Sequence, residues 1–192
     1  MHPIATSGLI LIDTQAVSNA LSDFDSVIRV YWPRVFRFVL ASVRDHDVAQ
    51  TLAQDCFFRA HQGRARFRGD ASLQTWLMQI AVNLVRDHCR NRRLQFWKRA
   101  TSEPIDGDGV RDWLADGEIN PEQKILVKER VAAVWNAAAQ LPERQRTVFL
   151  LRFVEDMDLL EIAAVTGLKE GSVKVHLFRA LRRVRVEVGR LT

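Results

Sequence analysis

Apolar positions recur at spacings of three and four along most of the chain, and sustained period-two runs of β-branched residues are absent, so the pattern predicts helices and no strands. Phe24, Val27, Ile28, Tyr31, Val35, Phe38 and Val39 form a first stripe, Val48, Leu52, Cys56 and Phe57 a second, and Leu73, Trp76, Leu77, Ile80, Ala81, Leu84 and Val85 a third. Three such stripes fit a bundle of three or four helices. Farther on, one helix is expected from Ile125 to Ala139, another opens at Leu141-Pro142-Glu143 with the proline just inside its start, and two more flank Gly167.

The last two predicted helices carry the most information. Asp158 followed three residues later by Glu161 can cap a short helix with Ile162, Ala163 and Val165 inward, and Gly167 supplies a positive-φ stop. Leu168 plugs the turn and Gly171-Ser172 opens the next helix. At about 100° per residue, Val173, Leu177, Ala180, Leu181, Val184 and Val188 gather on one side of it, and Ser172, Val175, Arg179, Arg182 and Arg183 on the other. A capped helix, a glycine turn and a helix with one basic face make a helix-turn-helix, whose second helix suits a DNA major groove. The plainer reading, a surface helix with solvated arginines, does not account for the order of these parts.

Charge divides the chain. Residues 1–94 hold 12 Arg against 8 acids, residues 100–121 one Arg against six acids, and residues 122–192 13 Lys+Arg against 9 acids. The acidic middle also mixes Gly, Asp, Pro and Asn without an apolar period, which marks a linker. The expected architecture is therefore all-α: two small helical domains, 20–95 and 122–190, joined by a flexible acidic linker over 96–121, with the helix-turn-helix in the second. The linker supplies little apolar surface, so the two domains are expected to fold separately and to vary in relative placement.

At 47% hydrophobic and 27% charged residues the composition is that of a globular protein, and a net charge of +5 favours a polyanionic partner. Export and membrane insertion are not expected: the apolar patch Leu9–Ile12 is four residues long, lacks a preceding Lys or Arg and is followed by Asp13, and no run reaches the ~18 apolar residues that span a bilayer. Cys56 and Cys89 form neither a CxxC pair nor a disulfide framework, in keeping with a reducing cytoplasm. Between Arg64 and Arg99, nine Lys+Arg stand against two Asp, interleaved with Phe67, Trp76, Phe96 and Trp97. That mixture suits single-stranded or melted DNA, where cations track phosphates and rings stack on bases. Trp76 also lies on the apolar stripe and serves equally as a core residue.

The segment FRGDASLQTWLMQIAVNLVRDHCRNRR at residues 67–93 closely resembles the signature of bacterial extracytoplasmic-function (ECF) sigma factors. AQDCFFRAH at 53–61 resembles a helix of the same family, and Asn120-Pro121-Glu122 with LPERQR at 141–146 resembles the entry to its second domain. The matches are collinear over about residues 24–190. The resemblance implies a transcription initiation factor that binds core RNA polymerase and directs it to promoters, with no cofactor and no small-molecule substrate. It implies that Gln54, Asp55, Phe58 and Arg59 dock on the β′ clamp, and that the second domain engages the β flap. It assigns Arg68, Trp76, Asn83, Arg86, Asp87, Arg90, Arg92 and Arg93 to the −10 element. The −35 element falls to Ser172, Lys174, Val175, His176, Arg179, Arg182 and Arg183. An anti-sigma partner is implied too, and the acidic linker resembles the segment that relatives thread through the polymerase cleft. This chain departs from the family at Asp55, usually Glu, at His61, usually Trp, and at Val175-His176, usually Ser-Arg, so the −35 preference is expected to be its own. Leu160 stands where an acid is common and is expected to weaken a capping contact or form a partner surface.

Enzymatic readings find little support. His88 and Cys89 are sequence neighbours and diverge on a helix, while His46, His61 and His176 lack metal-site spacings, so no metal is expected. No nucleotide-binding glycine loop or nucleophile elbow occurs, and Cys56 beside Phe57 reads as a small core residue. A regulator of another family with the same reading head would not require the 67–93 segment, and a helical adaptor binding only protein would leave both basic faces unexplained.

Overall fold

The computed structural model describes residues 23–67, 69–98 and 131–189, with side chains through residue 92 in the third helix. Arg68, the side chain of Arg93 and residues 99–130, which include most of the expected linker, lie outside the described residues.

The described part is helical throughout. The first unit consists of α1 (Phe24–Val43), α2 (His46–Gly63), a 3-10 turn (Arg64–Arg66) and α3 (Leu73–Lys98). Local chemistry sets its corners. The Asp23 carboxylate accepts from the Ser26 amide to start α1. Arg44, at φ 60, ends it with its N–H on the Leu40 carbonyl, and Asp45 immediately caps α2 through the Val48 amide. Two residues thus reverse the chain. Gly69, at φ 76, occupies a conformation that disfavours side chains, and the Ser72 hydroxyl then accepts from the Thr75 amide at the start of α3. Pro33 lies inside α1 and forfeits an amide donor, a cost of about 3 kcal/mol carried by the buried stripe around it.

That stripe meets the other two as expected. Val35, Phe38 and Val39 of α1, Cys56 and Phe57 of α2, and Leu77, Ala81, Leu84 and Val85 of α3 are buried together, and Ile28, Tyr31, Val48, Leu73, Trp76 and Ile80 are half-buried at the margin. Cys56 is a core residue: its thiol lies 3.5 Å from the Leu77 carbonyl, and burial pushes its pKa up to about 12.

The second unit contains α4 (131–139), α5 (Glu143–Phe153), α6 (Leu159–Thr166) and α7 (Glu170–Gly189). Pro142 stands at the N-cap of α5, one residue earlier than expected. The capping box of α6 is complete, with the Glu161 amide 2.8 Å from the Asp158 carboxylate and the Asp158 amide 2.8 Å from that of Glu161. Leu160 therefore does not weaken it. Gly167, at φ 70, ends α6 with its N–H on Ala163. The core joins Val148, Leu150 and Leu151 of α5, Ile162 and Val165 of α6, and Val173, Ala180 and Val184 of α7.

The two units are in contact. Helix α6 packs against α3, and α5 against α1. Glu155, in the turn after α5, is 1% exposed and receives Arg34 Nε at 3.1 Å and an Arg37 terminal nitrogen at 3.1 Å. Gln74 of α3 donates to the Glu155 carbonyl at 3.2 Å, and Arg146 of α5 donates to the Ser42 carbonyl at 3.2 Å. Polar side chains of the helical units themselves meet in this arrangement, a contact that linker composition does not reveal.

Candidate nucleic-acid interface

Helix α7 has a buried back and a basic front. Val173, Ala180 and Val184 anchor it, Leu177, Leu181 and Val188 complete that side half-buried, and Ser172, Lys174, Val175, Arg179, Arg182 and Arg183 are exposed. Arg179, Arg182 and Arg183 border an open depression with Val186 and Glu187, floored by Gln145 of α5. Gln145 Oε1 is buried there without a hydrogen-bond partner. Exposed guanidinium groups around a shallow depression can hold phosphate oxygens or read guanine edges. Lys174 differs from the arginines because its ammonium is bridged to Glu170 at 2.6 Å.

His176 does not share the exposed front. It is half-buried, its Nδ1 is buried without a hydrogen-bond partner, and burial, reinforced by Arg144 and Arg179, holds its pKa below the ordinary value. Helical geometry explains the difference: position 176 falls one turn from Val173 and Ala180 and is drawn toward α5.

On α3 the sequence-predicted residues follow one another along the helix. Asn83 and Asp87 are half-buried, while Arg86, Arg90 and Arg92 are exposed. Arg86 donates to the Asn83 side chain and Arg90 bridges Asp87 at 3.2 Å. Arg86 also lines a depression with Glu143, Arg144, Thr147, Thr166 and Leu168 of the second unit. Trp76 is half-buried, with its ring 4.8 Å from that of Phe67 and its edge against Gly63, so it closes the base of α3. On α2, Gln54, Asp55, Phe58 and Arg59 are all exposed, and Phe58 at 63% exposure is a large apolar group on an otherwise polar face. Gln54, Phe57, Phe58 and His61 border a groove completed by Phe24, Ile28 and Trp32 of α1.

Sequence reasoning passed over Arg34, Arg37, Gln74, Arg146 and Glu155. The available signal was the pair Arg34 and Arg37, three apart in an otherwise apolar part of α1. Glu155 carries no local signal, since its partners lie 118 and 121 residues away.

The family model of sigma-70 region 2 matches residues 27–95, and that of sigma-70 region 4 matches residues 132–184. The RNA polymerase sigma-H factor of Pseudomonas aeruginosa is 34% identical over 82% of this chain and 81% of its own length. The chain belongs to the sigma-70 family, as an ECF sigma factor. The ECF sigma-E factor of Escherichia coli is 29% identical over 82% of each chain, and SigW of Bacillus subtilis is 22% identical over 86% of this chain and 88% of its own. In fold, the sigma factor resembles RpoE of Bartonella quintana in complex with the anti-sigma factor NepR, with a TM-score of 0.71 at 20% identity over 88% of this chain and 98% of that one. It also resembles CnrH in complex with the cytosolic domain of CnrY, with a TM-score of 0.65 at 20% identity over 94% and 99%. As an ECF sigma factor the protein is a transcription initiation factor. It acts with RNA polymerase at specific promoters, region 2 serving the −10 element and region 4 the −35 element. Among the described residues no group of three or more His, Cys, Asp or Glu side chains could hold a metal, and no helix is long and apolar enough to cross a membrane.

Proposed function

We propose that this sigma factor divides its work among three surfaces. Region 4 reads the −35 element with Ser172, Lys174, Val175, Arg179, Arg182 and Arg183, and His176 acts from behind them by fixing the approach of α7 to α5. Region 2 engages the −10 element along α3 through Asn83, Arg86, Asp87, Arg90 and Arg92, joined by Arg68 and Arg93, with Trp76 bracing the loop. Gln54, Asp55, Phe58 and Arg59 of α2 dock on the β′ clamp, and region 4 meets the β flap. The functional division runs 20–95, 96–121 and 122–190, and the setting is the cytoplasm.

The supporting observation is the two-sided character of α7, buried on Val173, Ala180 and Val184 and cationic on the opposite face. A helix so mounted can enter a major groove without uncovering its core. The anti-sigma factor NepR, bound to RpoE in the similar structure, favours an anti-sigma protein as a partner here.

Run-off transcription from a cognate promoter with added core polymerase tests the reading. Replacement of Asp55 and Phe58 by alanine should weaken core-polymerase binding and leave −35 recognition in place, whereas Arg179→Ala should do the reverse. Loss of both activities together, in folded protein, would refute the division of roles.

A further inference from the structure

Phe24, Ile28 and Trp32 of α1 and Phe57 and Phe58 of α2 line one groove of about 530 Å³, within the roughly 300–1,000 Å³ typical of binding clefts. Its floor is fixed by ring packing. Trp32 stacks on Phe36 at 6.2 Å and on Phe57 at 5.7 Å, and the Phe24 ring meets His61 edge-on at 5.1 Å. Phe58 stands out on one lip as a large exposed apolar group. The polar members, Asp23, Asp25, Gln54 and His61, are all exposed. The groove therefore holds no buried polar group to orient a small molecule, and an apolar stretch of chain suits it better than a charged ligand.

We propose that this groove is the seat of the chain's own apolar segment Leu9–Ile12, which competes there with core polymerase for Phe58. The segment precedes the described residues, and its four consecutive Leu and Ile side chains gain by leaving water. Residues 1–22 contain no Lys or Arg, so apolar burial is what this stretch has to offer a surface. Its attachment point is the groove itself: Asp23 caps α1 and lines the groove together with Phe24. Eleven peptide steps join Ile12 to Asp23, a reach of roughly 36 Å at about 3.3 Å per residue. Along α1, Asp23 and Trp32 are only roughly 13 Å apart at about 1.5 Å per residue, so the segment can double back over the whole groove. Tethering on so short a connection gives it an effective concentration in the mM range, which favours it over a free apolar peptide. The inference rests on the docking role given to Phe58 above. With Leu9–Ile12 seated, Phe58 is covered, and polymerase has to displace the segment before α2 can dock.

A nitroxide on the full chain tests this, carried on Ser7→Cys in a Cys89→Ser background, since Cys56 is buried and its thiol is held protonated. Amide resonances of residues 24–32 and 54–61 should broaden, and those of α7 should not. The broadening should disappear in Leu9→Ser/Ile10→Ser/Leu11→Ser/Ile12→Ser and, from the groove side, in Ile28→Ser, with circular dichroism checking that helix content is unchanged. If the groove is free in about one molecule in ten, the fourfold serine variant should bind core polymerase about tenfold more tightly than wild type, because apparent affinity scales with the competent fraction. Groove resonances untouched by the label overturn the seat. Broadening that arises only between labelled and unlabelled copies makes a second copy the occupant and overturns it as well. Broadening within the chain, with polymerase affinity equal in wild type and the serine variant, overturns the competition. Should wild type fail to bind core polymerase, or Phe58→Ala bind it as wild type does, the docking assignment falls instead, while the label still judges the seat.

Discussion

Salt dependence provides the most direct measure of the reading head. Arg179 and Arg182 are exposed on α7, and among the described residues no ion pair ties up either side chain in the way Glu170 ties up Lys174. Each phosphate contact released on mutation should lower the slope of log K against log salt by about 0.9 for B-form DNA. A fourfold rise in salt, from about 50 to about 200 mM, then costs about 3.5-fold in affinity per contact and about 12-fold for two. Wild type should lose about 12-fold more affinity than Arg179→Ala/Arg182→Ala over that range, whereas Lys174→Ala should change the slope less, since its charge is already partly neutralised. The assay is fluorescence anisotropy of the full chain on a labelled −35 duplex, with a scrambled duplex as reference. If one of these arginines reads guanine instead, its removal should relax one base position at a cost of about 1–3 kcal/mol. Unchanged affinity, slope and base preference in a folded double variant would remove α7 from the DNA interface.

Other outcomes follow from the packing. Val173 is fully buried, so Val173→Ala should destabilise region 4 by roughly 1.5–3 kcal/mol through two lost methyl groups and the space they leave. Val173→Asp should unfold it by burying an unpaired carboxylate, and a cooperative region 4 melt in that variant would contradict the packing described. Asp158→Ala should cost about 1 kcal/mol by removing the cap of α6, read as a lowered denaturant midpoint, with no loss expected from Leu160→Ala. His176 and His88 both titrate below the ordinary 6.5, each through burial first and then nearby arginine, Arg144 and Arg179 for the former and Arg92 for the latter. The unfolded chain therefore binds more protons near that pH. Stability should be full above 6.5 and fall as the pH drops below it. Thermal melts between about pH 5 and 7.5 should show this decline, and His88→Gln/His176→Gln should flatten it.

Much of this protein was written locally. The Asp158–Glu161 box and the Gly167 stop act over three or four residues, and period alone separated the buried from the cationic side of α7, because a helix converts sequence spacing directly into direction. The same arithmetic found all three stripes of region 2, whereas Gln54, Asp55, Phe58 and Arg59 were singled out only by family resemblance, and the structure leaves them exposed. What spacing could not supply was any contact between elements distant in sequence. His176 is drawn inward by α5, and Trp76 is claimed by Phe67 and Gly63, because neighbouring helices decide which marginal positions of an amphipathic face are covered. The placement of region 4 against region 2 was decided entirely by tertiary structure. Glu155 looks like any solvated acid in a turn until two guanidinium groups from a helix more than a hundred residues away make its burial tolerable.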